Sequence, residues 1–278
     1  MISTIVKESH SIARHIPVKT SMMRMMSTTK RVLDVEEKKI SVTVNGDGQH
    51  KLLLMPGALG SAETDFGPQL SGLNKEVFSV IGWDPPGYGG SRPPERNFRD
   101  FFNEDARFAA QTMSELGHQR YSLLGWSDGG ITALILAAKF SANVDKVVIW
   151  GSNSYVSKSD IDMIEKVEDV SQWSPRMREP MENIYGDMFP SLWSQWVQSY
   201  RDIFKSGGDI CSDILQDISA PTLIIHGEKD VMVAEEHVHY LADKIPNSRK
   251  MIWPGGKHNL HLKHAEEFNR IVQDFILE

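Results

Sequence analysis

The sequence predicts an α/β protein: a mostly parallel sheet covered by helices on both faces, with one helical insertion. Three observations predict it. Short apolar, β-rich runs alternate with helix-period patterns, the arrangement of a parallel sheet buried on both sides. One interval of about seventy residues, between runs at 146–150 and 221–226, has no strand pattern but holds Trp173, Tyr185, Phe189, Trp193, Trp196, Tyr200 and Phe204. A structureless loop of that length does not suit a compact domain, so the interval reads as helical, its aromatic residues forming a core or lining a pocket. Finally, 278 residues at 40% hydrophobic and 24% charged supply one sizeable core and exclude disordered and fibrous classes.

The elements follow in order. Residues 39–44 alternate in polarity, Asn45-Gly46-Asp47-Gly48 follows, and 51–55 is a second apolar run. Asparagine and glycine accept the positive φ of tight turns, so this stretch reads as a β-hairpin. Further strands are predicted at 77–83, 121–124, 146–150, 221–226 and 250–253. Helices are predicted at 101–116, 129–140, 235–244 and 261–277.

Charge and cysteine usage narrow the function classes. The net charge is −7, yet residues 1–31 carry six basic side chains (Lys7, Arg14, Lys19, Arg24, Lys30, Arg31) against Glu8 alone, which leaves −12 on the remainder. An acidic body excludes nucleic acid as partner, because phosphate binding needs a basic face. The basic, hydroxyl-rich and acid-poor start reads as a mitochondrial presequence; the alternative is a disordered tail on a cytoplasmic protein, with several possible start methionines. The longest apolar run, 131–138, is far short of a membrane span, so no membrane association is expected. Cys211 is the only cysteine and forms neither a disulfide nor a cysteine metal cluster; it reads as buried filler.

The sharpest local signal is Gly125-Trp126-Ser127-Asp128-Gly129-Gly130, a G-x-S-x-G between a predicted strand and a predicted helix. That context places Ser127 on a strained turn as a nucleophile, with glycines where side chains would collide. A serine hydroxyl needs a base, and the base needs a group that fixes its tautomer. His258, in the loop after the last strand, is the candidate base. Asp230, after the strand at 221–226, is the candidate acid, with Glu228 the alternative. His226, His261 and His264 read as structural or solvated. The oxyanion requires two N–H donors. One is the amide of Asp128, and the other comes from Pro56-Gly57-Ala58-Leu59-Gly60, with Ala58 and Leu59 both open.

The ordered set Pro56-Gly-Ala-Leu-Gly60, Trp83-Asp-Pro-Pro-Gly-Tyr-Gly-Gly-Ser91, the Ser127 motif, Gly227-Glu-Lys-Asp230 and Gly256-Lys-His258 resembles the α/β-hydrolase family. Within that family it is similar to the biphenyl hydrolase-like group, also called valacyclovir hydrolases, over most of residues 35–278. The resemblance implies an eight-stranded, mostly parallel sheet with a helical cap. It also implies a cofactor-free serine esterase acting on α-amino acid esters, including amino acid ester prodrugs of nucleoside analogues. The chain then divides into a presequence or tail at 1–31, a core at 32–151 and 218–278, and a cap at 152–217, and it is expected to act as a monomer. Two positions depart from the common family pattern: Pro56 stands where a histidine often precedes the oxyanion-loop glycine, and Pro86 where an arginine is frequent.

Asp128 points to the substrate. A carboxylate beside the nucleophile opposes the developing oxyanion, which makes sense if the substrate carries a compensating cation such as an α-ammonium. The resemblance implies the same role. The alternative is a charge that merely complements the N-terminus of the following helix. Two other functions remain in view: carbon–carbon bond hydrolysis of a dienoic ketoacid by the same three residues, and a non-catalytic small-ligand receptor. The anionic ketoacid is disfavoured by Asp128.

Overall fold

A computed structural model describes residues 28–278. Eight strands form one sheet: β1 Thr29–Val35, β2 Lys38–Asn45, β3 His50–Met55, β4 Phe78–Trp83, β5 Tyr121–Trp126, β6 Val144–Trp150, β7 Thr222–Gly227 and β8 Ser248–Trp253. The spatial order is β1-β2-β4-β3-β5-β6-β7-β8, and only β2 runs against the rest. This is the α/β-hydrolase sheet that the sequence led us to expect. Leu52, Leu53, Leu54 and Met55 of β3 are all fully buried, as a central strand covered on both faces requires.

Helices α1 Ala62–Gly72, α2 Phe101–Glu115 and α3 Asp128–Lys139 connect the first strands. Between β6 and β7 lie α4 Lys158–Lys166, α5 Pro175–Tyr185 and α6 Phe189–Lys205. The two ends of that insertion are pinned together by a bridge between Tyr155 and Asp209 and by the Val156 N–H donating to Gly208 O at 2.7 Å. Then come α7 Glu236–Lys244, α8 Leu260–Lys263 and α9 Ala265–Leu277. Among the described residues no helix is long and apolar enough to cross a membrane. Cys211 is buried.

Several expectations are corrected. The segments at 39–44 and 51–55 do not pair as a hairpin, because β4 lies between them, antiparallel to β2 and parallel to β3. The Asn45-to-Gly48 segment instead wraps the start of β4, with Asp47 and Gly48 N–H donating to Lys75 and Phe78 carbonyls. The real hairpin is β1–β2, turned by Glu36 and Glu37 at φ 43° and 65°. Two glutamates in left-handed conformation carry no turn signature, so this hairpin is silent in the sequence. Residues 1–27, where the presequence expectation falls, lie outside the described residues, whereas 29–31, assigned to the same tail, belong to β1.

Helix α1 was not expected because Pro68 reads as a breaker. It forms around a kink at Phe66 and starts with a reciprocal Ser61–Thr64 cap. The predicted helix at 261–277 is two helices, broken at His264.

Candidate active site

The C-terminal ends of β3, β5, β6, β7 and β8 converge on one rim, where ligands bind in open α/β sheets. Ser127 sits between β5 and α3 at φ 55°, ψ −123°, a conformation that costs energy for a residue with a Cβ. The turn is tight because neighbouring backbone crowds it: a Cβ on Gly129 would lie 2.0 Å from Met55 O. The Ser127 N–H donates to Trp150 O of β6 at 3.0 Å, which ties the elbow to the sheet.

His258 and Asp230 come from the loops after β8 and β7. His258 Nδ1 is 2.8 Å from Asp230 Oδ2. A carboxylate only accepts, so Nδ1 carries the proton and Nε2 keeps its lone pair. The other Asp230 oxygen accepts from the Met232 and Val233 amides at 2.8 and 3.1 Å. Burial alone would raise the Asp230 carboxyl, but His258 and these amides hold it below the ordinary value. Glu228 is engaged elsewhere, accepting from the Gly255 N–H. Gly151, at the end of β6 with φ 56°, passes so close that a Cβ there would lie 2.9 Å from His258 Nδ1. Among the described residues the Ser127 hydroxyl has no hydrogen-bond partner, a common state of hydrolytic serines before substrate is seated.

The loop after β3 turns through a Gly60 N–H to Gly57 O bond of 3.0 Å, with Leu59 at φ 57°. No acceptor within the described residues takes the Ala58, Leu59 or Asp128 amide, so all three remain candidate oxyanion donors. The loop is held by groups that sequence reasoning missed. Asp65 Oδ2 accepts from the Gly57 N–H at 2.9 Å, and burial raises its carboxyl to about 7. Tyr185, from α5, donates to Leu59 O at 2.7 Å and accepts from the Gly89 N–H. Trp126 donates from Nε1 to His258 O at 2.9 Å and so fixes the base's loop. His261, read as structural or solvated, is fully buried between Trp150 Nε1 and Asp65 O, and burial lowers it to about 3.

Asp128 is 6% exposed. Its carboxylate accepts from Trp196 Nε1 at 2.8 Å and from the Tyr200 hydroxyl at 2.6 Å. Those donors lie four apart on α6 and therefore share a helix face. Burial raises the Asp128 carboxyl to about 6, against the lowering effect of the two hydrogen bonds. The nearest buried cation, Arg96, is committed to a two-pronged pair with Asp105 at 2.7 and 2.6 Å. A cavity of about 320 Å³ opens beside Ser127, lined by Asn153, Asp160, Ile164, Trp196, Tyr200, Met232 and Val233.

The family model for the alpha/beta hydrolase fold matches residues 51–206. The chain is 48% identical over 254 residues to the serine hydrolase BPHL of Homo sapiens, covering 90% of this chain and 87% of that one. It is 49% identical over 235 residues to the serine hydrolase BPHL of Mus musculus, covering 83% and 80%. A solved meta-cleavage product hydrolase from Pseudomonas fluorescens IP01, complexed with acetates, superposes with a TM-score of 0.73 at 19% identity over 88% of this chain and 96% of that one. At that identity the likeness shows the fold alone.

Proposed function

Because this chain belongs to the α/β-hydrolase family and is a serine hydrolase of that fold, we propose that it cleaves esters of α-amino acids through an acyl-enzyme, with Ser127, His258 and Asp230 as its triad. In this reading the Ser127 oxygen attacks the ester carbonyl while His258 Nε2 takes its proton, and Asp230 holds the imidazole in the required tautomer. Negative charge developing on the carbonyl oxygen is met by the Asp128 amide at the start of α3 and by an amide of Ala58 or Leu59. His258 returns its proton to the departing alcohol. It then deprotonates a water, and attack of that water on the acyl carbon releases the amino acid and restores Ser127. The reaction uses no cofactor.

One observation carries the choice of substrate. The carboxylate next to the nucleophile is buried and receives only the neutral donors Trp196 and Tyr200. A buried carboxylate without a cationic partner is costly. An α-ammonium two bonds from the reacting carbon supplies that cation at the moment of catalysis.

The test is kcat/KM for a valine ester against its Nα-acetyl analogue, in the wild type and in Ser127→Ala. We expect a preference of tenfold or more for the free amine. Ser127→Ala should fall by about 10⁴-fold or more, with its melting temperature unchanged. Equal rates on the two esters would make this a general esterase. Turnover of a dienoic ketoacid in place of both would give the carbon–carbon hydrolase, and ligand binding without turnover would give the receptor.

A further inference from the structure

The cavity beside Ser127 has one charged residue in its wall, Asp160 near the start of α4. It is 3% exposed. Its structural duties fall on a single oxygen. Oδ2 accepts from the Ser157 N–H at 2.8 Å and the Ser157 hydroxyl at 2.8 Å, which caps α4, and from His237 Nε2 of α7 at 2.8 Å. Oδ1 is buried and has no partner among the described residues. Capping a helix and anchoring a histidine therefore account for half of this carboxylate. An unmatched buried acceptor of this kind costs about 1–3 kcal/mol, and the half that bears the cost belongs to a wall that also contains the proposed nucleophile.

The surroundings indicate which part of a substrate arrives there. Trp196 and Tyr200, which hold Asp128, are themselves cavity walls, and Ile164, Met232 and Val233 complete an apolar sleeve. An acyl group whose α-ammonium is held at Asp128 sends its side chain into this sleeve. We infer that Asp160 Oδ1 receives a hydrogen-bond donor at the end of that side chain, so that the enzyme favours esters of amino acids with a basic side chain over apolar ones of equal length. Asp160 is then a determinant of specificity, separate from the triad. The inference rests on the amino acid ester reading given above.

The experiment uses lysine and norleucine methyl esters, which differ only in the terminal ammonium, each also in Nα-acetylated form, with the wild type and Asp160→Asn. The wild type should show about 10- to 100-fold higher kcat/KM for the lysine ester, the effect of one charge-assisted hydrogen bond. Asp160→Asn should remove that preference while keeping norleucine ester turnover within about twofold. A wild type that treats the two esters alike, or prefers norleucine, overturns the inference without any variant having to fold. If both free-amine esters still far exceed their Nα-acetyl forms in that case, the Asp128 reading stands and only Asp160 loses its role. If acetylation has no effect at all, the amino acid ester reading itself fails. A thermal melt of Asp160→Asn separates lost recognition from a loosened α4: a preference that vanishes only with a large fall in melting temperature counts against a direct contact.

Discussion

Asp128→Asn removes a charge while keeping a shape, and its consequences for activity and stability run in opposite directions. Trp196 Nε1 can only donate, so the carbonyl end of the new amide must face it. Its NH₂ end then faces Tyr200, whose hydroxyl can turn to accept. The pocket is therefore expected to accommodate the substitution. The Asp128 carboxyl, raised by burial from 3.8 to about 6, is held in its charged form at neutral pH at a cost of about 3 kcal/mol. Two hydrogen bonds weakened by loss of the charge offset part of the gain, about 1 kcal/mol each. The net expectation is unchanged or slightly increased stability at neutral pH. Against substrate the sign reverses. An ammonium about 4 Å from the carboxylate gains about 4 kcal/mol at an effective dielectric near 20, and its desolvation leaves roughly half of that. Loss of about 2 kcal/mol lowers the ratio of kcat/KM between a valine ester and its Nα-acetyl form by roughly 30-fold. Steady-state kinetics on the two esters, paired with urea unfolding, reads both effects. An unchanged ratio in the variant refutes ammonium recognition by this side chain, and a loss of several kcal/mol in stability refutes the account of its burial.

Three further outcomes follow from the same geometry. The amine-to-acetyl ratio should fall as pH drops through about 6: the Asp128 carboxyl is raised, takes up its proton there and stops attracting the ammonium, while titrations common to both esters cancel in the ratio. The same raised value means that the stability cost of the buried charge is fully present above about 6 and is relieved as pH falls from there toward about 4, which urea unfolding at fixed pH values would detect. Gly151→Ala places a Cβ 2.9 Å from His258 Nδ1 at a φ of 56°, so kcat/KM should fall about 100-fold, with about 1–2 kcal/mol lost in unfolding free energy. Tyr185→Phe takes the donor from Leu59 O and the acceptor from Gly89 N–H; it should cost about 1–3 kcal/mol and lower kcat about tenfold with little change in KM, because the loop it steadies faces the oxyanion rather than the bound ester.

Much of this arrangement is written locally, and the parts that are not share a cause. The elbow at Ser127 is legible because glycines crowd a strand-to-helix turn within six consecutive residues. Asp230 and His258 are legible because each follows a short apolar strand, and the resulting chain order matches a known catalytic plan. The β2–β3 hairpin was misread because turn chemistry reports a change of direction and not which strand lies alongside. Two residues of β4 take the backbone groups that an Asn-Gly turn would have used. Tyr185 shows the same limit from the other side, since nothing near it in sequence marks it as the partner of a loop 126 residues away.

The sequence by itself determined the alternation of strand and helix, the strained serine turn, the loops carrying the acid and the histidine, and the presence of a carboxylate beside the nucleophile. All of these depend on periodicity and turn chemistry acting over a few residues. Only the tertiary structure decided the order of strands at the β1–β4 edge, the burial of Asp128 under Trp196 and Tyr200, and the division of Asp160 into one satisfied oxygen and one unmatched oxygen facing no protein donor. Those outcomes are set by which distant groups satisfy one another once water is excluded, and a hydrogen bond between elements tens of residues apart has no period for a sequence to display.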